Sequence, residues 1–190
     1  SHWNFPQYKK HIIQVQTITN CESVELWINK QSMGRRYTKD YPNNTIVWYV
    51  PYQEGKIEAH GFNDEVKVAE YALETSGKPA KIVLSTDEKD IKCNGQDLSH
   101  VTISLVDANG ILVPDADMPI TVIVKGEGNL LGVDNGDLRN HQSYAGSEMK
   151  TYQGKMLAII RSTRFPGNIR VRVKSKYLKE ETLTIKATKL

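Results

Sequence analysis

The chain has 190 residues, 39% hydrophobic, 25% charged and 8% aromatic, with a formal net charge of +3 at pH 7. That composition suits one large all-β domain or two small ones. No run approaches the roughly 18 apolar residues of a membrane-spanning helix, the first residues do not read as a secretory signal, and a (β/α)₈ barrel of about 250 residues does not fit.

In chain order, the spacing predicts short strands divided by turns. Residues 12–17 lead to Asn20. Residues 23–28 put Val24, Leu26 and Ile28 on one face and Glu25 and Trp27 on the other, and close at the turn-like Asn29-Lys30-Gln31. Asn20 and Gly34 read as bends needing unusual backbone angles. Residues 45–50 stop at Pro51, and Gly55 opens a strand over 56–62 that Asn63-Asp64 turns. Residues 66–75 fit the strand and helix periods imperfectly; the neighbouring strands favour strand.

Thr75-Ser76-Gly77-Lys78-Pro79 lacks apolar periodicity and reads as a boundary. Strands resume at 80–85, 100–106, 120–125, 156–162, 169–175 and 182–187, with Asp107-Ala108-Asn109-Gly110 as a turn. Two β-sandwich domains, residues 1–77 and 78–190, are the economical reading. The second carries the positive excess, 17 Lys/Arg against 13 Asp/Glu, while the first has 8 against 9. Ile169-Arg170-Val171-Arg172-Val173-Lys174 alternates strictly, which favours a strand with one wet face over a nucleic-acid surface.

Chemistry-bearing residues are dispersed. Cys21 and Cys93 form no CxxC pair, which suggests neither zinc nor redox chemistry; they read as isolated buried thiols, with pairing left open. His2, His11, His60, His100 and His141 show no HxH or HxxxH spacing and read as surface or interdomain residues. No acid and nucleophile carboxylates pair recognisably, and no GxSxG elbow occurs. Trp3, Trp27, Trp48, Tyr49 and Tyr52 suit either packing or stacking on sugar rings. Trp48 reads as core, Trp3 as packing against a neighbouring domain, and Trp27 as the best ligand or interface platform. Asp134-Asn135-Gly136-Asp137 reads as a turn with Gly136 left-handed. The alternative is a display of carboxylates to calcium, which wants six to eight oxygens, or to sugar hydroxyls.

Several motifs together carry a family likeness. His2-Trp3-Asn4-Phe5, Thr19-Asn20-Cys21-Glu22-Ser23-Val24-Glu25-Leu26-Trp27-Ile28-Asn29, Ser32-Met33-Gly34-Arg35, Trp48-Tyr49-Val50-Pro51-Tyr52 and Thr75-Ser76-Gly77-Lys78-Pro79-Ala80 resemble the first β-sandwich module after the catalytic barrel in β-galactosidase-like glycoside hydrolases of family 2. Asn94-Gly95-Gln96-Asp97-Leu98, Val106-Asp107-Ala108-Asn109-Gly110, Val113-Pro114-Asp115-Ala116 and Gly132-Val133-Asp134-Asn135-Gly136-Asp137 resemble the family's C-terminal domain. Phe5 stands where the family often has Trp, and Lys30 where Gly is common.

The resemblance implies an all-β fold of two immunoglobulin-like antiparallel β-sandwich domains in tandem. It implies a non-catalytic C-terminal region with no catalytic residue, cofactor or metal of its own. The parent chain would be a retaining hydrolase of terminal β-linked sugars, and bacterial. Trp3, Trp27, Asp134, Asn135 and Asp137 are the candidates for carbohydrate or interdomain contact. The expected partners are the catalytic barrel of the same parent chain, then carbohydrate and a second copy of the chain, with no nucleic acid and no membrane. The expected location is periplasmic or secreted. A carbohydrate-binding module and a surface adhesion or spacer protein are the competing readings.

Overall fold

Alternation of apolar residues builds the first sandwich of the computed structural model, which describes residues 1–189. The chain divides into two units, Ser1–Ser76 and Gly77–Leu190. In the first, β1 (Ile12–Ile18), β2 (Ser23–Ile28), β3 (Gln31–Tyr37), β4 (Thr45–Pro51), β5 (Lys56–Asn63) and β6 (Val66–Glu74) form a four-stranded sheet, β3-β2-β5-β6, and a two-stranded sheet, β1-β4. Every pair is antiparallel. Val24, Leu26 and Ile28 of β2 and Ile46, Trp48 and Val50 of β4 are buried in one core with Trp3, Tyr52 and Ile57. The Trp48 indole N–H donates to Thr17 Oγ1 (3.1 Å), so a buried donor is satisfied inside the core.

The hairpin between β2 and β3 turns through Asn29 and Lys30, both left-handed (φ +49° and +68°) and bracketed by the pair Ile28↔Gln31. Such a two-residue turn matches the twist of its strands, but it places a lysine where glycine is the comfortable residue. Asn29 suits it: its side-chain Oδ1 accepts the Lys56 N–H (2.9 Å) while its Nδ2 donates to the Glu54 carbonyl (2.9 Å). Gly55 lies so near this side chain that a Cβ there would meet Asn29 Oδ1 at 2.0 Å.

Of the two expected bends, Gly34 takes φ +95° and forms a bulge opposite Leu26, whereas Asn20 needs no left-handed angle. At that corner the Thr19 hydroxyl accepts the Cys21 N–H instead (3.0 Å). The sequence pattern does not reveal β3, because Gly34 interrupts a polar strand with no apolar alternation. Residues 66–75 are strand, and their ambiguity has a cause. Gly61 pairs with Ala69 and Phe62 with Lys67, so Val68 is bulged out and the phase of the apolar residues slips.

The second unit holds β7 (Lys81–Thr86), β8 (Asp90–Lys92), β9 (Leu98–Val106), β10 (Pro119–Gly126), β11 (Gly128–Asp134), β12 (Glu148–Lys150), β13 (Lys155–Ser162), β14 (Gly167–Ser175) and β15 (Glu181–Thr188). They form sheets β12-β10-β14-β15-β8 and β11-β13-β9-β7, with only β15 and β8 parallel among the described residues. Val101, Ile103 and Leu105 of β9 and Met156, Ala158 and Ile160 of β13 pack in one core with Ile169, Val171 and Val173 of β14. On the opposite face of β14, Arg172 and Lys174 reach Glu180 (3.8 and 3.6 Å), which accounts for the basic alternation as a wet strand face. Cys21 and Cys93 are both free.

Asp107 explains its motif. It is 3% exposed, and its Oδ2 accepts the Gly77 N–H (2.8 Å) while Oδ1 accepts those of Asn109 and Ile111 (2.9 Å each). Those backbone donors, Gly77 first, hold the carboxyl below its usual pKa. A depressed carboxyl contributes stability above its unfolded pKa and loses it as pH falls through the folded one.

Two outcomes follow. Lys30→Gly should raise the urea midpoint of the first unit's transition by an equivalent of roughly 0.5–1 kcal/mol, relieving the left-handed lysine; an unchanged or lower midpoint contradicts the strain. Asp107→Asn should lower stability at pH 7 and flatten the acid-side loss below about pH 4, read as urea midpoints across a pH series. An equally steep acid limb in the variant contradicts the role given to Asp107.

Candidate functional site

The residues singled out in the sequence occupy three separate places. Trp3 is in the first unit's core, 3% exposed. It tilts against Tyr52 (ring centroids 5.0 Å apart), and Phe5 meets Tyr52 edge-on at 5.9 Å. The Tyr52 hydroxyl accepts the Phe5 N–H (3.0 Å) and donates to the Trp3 carbonyl (3.2 Å). The Trp3 indole donates to the Gln53 carbonyl (2.8 Å), and Thr75 Oγ1 donates to the Trp3 carbonyl (2.7 Å). Asn4 and Ser76 exchange two further bonds. Three motifs far apart in sequence thus meet in one clasp.

Beside it runs an apolar groove of about 380 Å³ between β1 and β6, lined by Ile13, Val15, Leu26, Ala59, Tyr71 and Leu73 among others. The groove exists because two strands cover four. β6 is left largely bare, with Tyr71 62% exposed.

Trp27 stands on the opposite, outward face of β2, half-buried, with its indole 6.0 Å from the His60 ring. Its Nε1 is buried without a hydrogen-bond partner. Glu58 and His60 of β5 lie across from Trp27 and Glu25 of β2, and His60 lies across from Glu70 of β6. One ligand atom each of Glu58, His60 and Glu70 falls within 4.8 Å of the others. His60 is the one histidine in this group; the other four stand apart from it. The spacing Glu58-Ala59-His60 already puts two of the three on one strand face. Glu70 joins them only through the β5–β6 register, which the bulge conceals.

The electrostatics of this face do not match an acid and nucleophile pair. Lys56 binds Glu58 (2.7 Å) and Lys67 binds Glu70 (2.6 Å). The Lys67 hydrogen bond pulls the Glu70 carboxyl below its usual pKa, whereas a general acid needs its carboxyl raised. The Glu58 bond in turn raises the Lys56 ammonium.

Asp134, Asn135 and Asp137 form a run of side-chain-to-backbone turns. Asp134 Oδ1 accepts the Gly136 N–H (2.9 Å), Asn135 Oδ1 accepts that of Asp137 (3.0 Å), and Gly136 is left-handed at φ +73°. Asp137 also pairs with Arg139 (2.9 Å), whose hydrogen bond lowers the Asp137 carboxyl. Asp134 Oδ1, Asn135 Oδ1 and both Asp137 carboxylate oxygens are thus engaged within the loop.

Comparisons with known proteins agree with the motifs. The family described as glycoside hydrolase family 2 C-terminal domain 5 matches residues 82–184, and a domain of unknown function, DUF4982, matches residues 10–69. A beta-galactosidase of Bacteroides ovatus is 32% identical over 190 residues, covering 100% of this chain and 22% of its own length. A beta-galactosidase of Thermoanaerobacter pseudethanolicus is 31% identical over 179 residues, 86% of this chain and 22% of its own. The crystal structure of a glycosyl hydrolase family 2 member from Bacteroides cellulosilyticus superposes with a TM-score of 0.95 at 36% identity, over 99% of this chain and 24% of that one. The chain therefore spans less than a quarter of the length of these relatives. Matched over more than half its residues by that C-terminal domain, it belongs to glycoside hydrolase family 2.

Proposed function

We propose that this chain is the non-catalytic C-terminal accessory region of a β-galactosidase-like enzyme, with both sandwiches immunoglobulin-like and the first following the catalytic barrel of the same parent chain. The observation carrying this is coverage: the Bacteroides ovatus beta-galactosidase aligns with all of this chain yet is only 22% accounted for by it. Two physical features support the reading. Retaining hydrolysis needs two carboxylates about 5–5.5 Å apart beside a sugar-shaped cleft, one kept protonated, and the Glu58–Glu70 pair has a lysine on each carboxylate. The groove along β1 and β6 leaves apolar surface of the kind that another domain covers.

The test has two arms. The purified chain should not turn over an aryl β-galactoside, and deleting these residues from the longer enzyme should lower its thermal midpoint. Hydrolysis that co-purifies with the isolated chain overturns the proposal.

A sugar-binding role has one observation in its favour, the half-buried Trp27 beside polar side chains on an outward sheet face. On this reading, galactosides at millimolar concentration should shift the Trp27 indole resonance in wild type and produce no binding heat with Trp27→Ala. No perturbation in wild type removes it.

A further inference from the structure

We propose that Glu58, His60 and Glu70 form a binding site for a divalent transition-metal ion, with zinc the best match to the donors. The three converge because of strand geometry. Glu58 and His60 are two residues apart on β5 and share a face, and Glu70 sits opposite His60 in the antiparallel pair with β6. Their ligand atoms lie within 4.8 Å of one another, with His60 Nε2 4.0 Å from Glu58 Oε1. An ion with metal–ligand distances near 2.0–2.2 Å would draw these atoms closer together than they now stand.

The donor set selects the ion. One imidazole nitrogen with two carboxylates suits zinc and its neighbours, whereas calcium and magnesium prefer oxygen throughout. Three protein ligands leave the remaining position to water, as at open zinc sites.

The present occupants are weak competitors. Lys56 and Lys67 hold the two carboxylates by ammonium groups whose side chains are 45% and 44% exposed. The Lys67–Glu70 pair, exposed at both ends, contributes little net free energy and exchanges readily, whereas Glu58 is 16% exposed and Lys56 is the stronger competitor. Trp27 stands beside the cluster, its ring 6.0 Å from that of His60.

Isothermal titration of the 190-residue chain with zinc tests this. One saturable site is expected, weakened at least about tenfold by His60→Ala and by Glu70→Gln. Lys67→Gln should instead tighten binding severalfold, because it frees Glu70 from its competitor, and a loss of fold cannot mimic that gain. Cobalt should give a tetrahedral d–d band in wild type that His60→Ala abolishes, with circular dichroism unchanged. No saturable zinc binding at millimolar ion, or binding that His60→Ala and Glu70→Gln leave intact, overturns the site.

Discussion

The Tyr52 hydroxyl and ring hold together the beginning, middle and end of the first sandwich. Residues 2–5 belong to no strand, so the ladder of a sheet does not hold them. They stay because Trp3 is buried against Tyr52 and because the backbone on either side of Asn4 bonds to the Tyr52 oxygen. Each aromatic pair in such a cluster adds about 0.5–1.5 kcal/mol beyond its buried area. Thr75 and Ser76 then close the unit onto Trp3 and Asn4. Without that closure, two strands would cover four with no lid at their open end.

Much of this architecture was legible in the residues, for a physical reason. Where a strand buries one face and wets the other, as β2, β4, β9 and β14 do, alternation is unavoidable and reads directly. It failed where a bulge shifts the phase. β3 bulges at Gly34, β6 at Val68 and β11 at Leu131, and of these only β6 reads as strand, on the strength of its neighbours. The short β8 and β12, three residues each, carry too few side chains to show a period.

The candidate sites were legible unevenly. Two of the turn motifs that carry the family likeness are held by a side chain that binds several backbone amides. Asp107 takes three, and Asn94 takes those of Gln96 and Asp97. Such positions tolerate few residue types, which is why short motifs there identify a family. The packing of Trp3 on Tyr52 is not legible locally, since the two lie 49 residues apart and no short pattern links them. The Glu58, His60 and Glu70 cluster depends on strand register, a property of the folded sheet rather than of any segment.

The bare strand β6 has a further consequence for motion. It pairs with β5 on one side only, and eight of its nine residues are exposed. Amides on its free side lack any ladder partner, and those facing β5 have little packing above them. Hydrogen–deuterium exchange should therefore report β6 opening well before the central β2, which has neighbours on both sides. The sheet would unzip from one margin, and a flanking domain laid along β6 would change the first step of its unfolding more than its core.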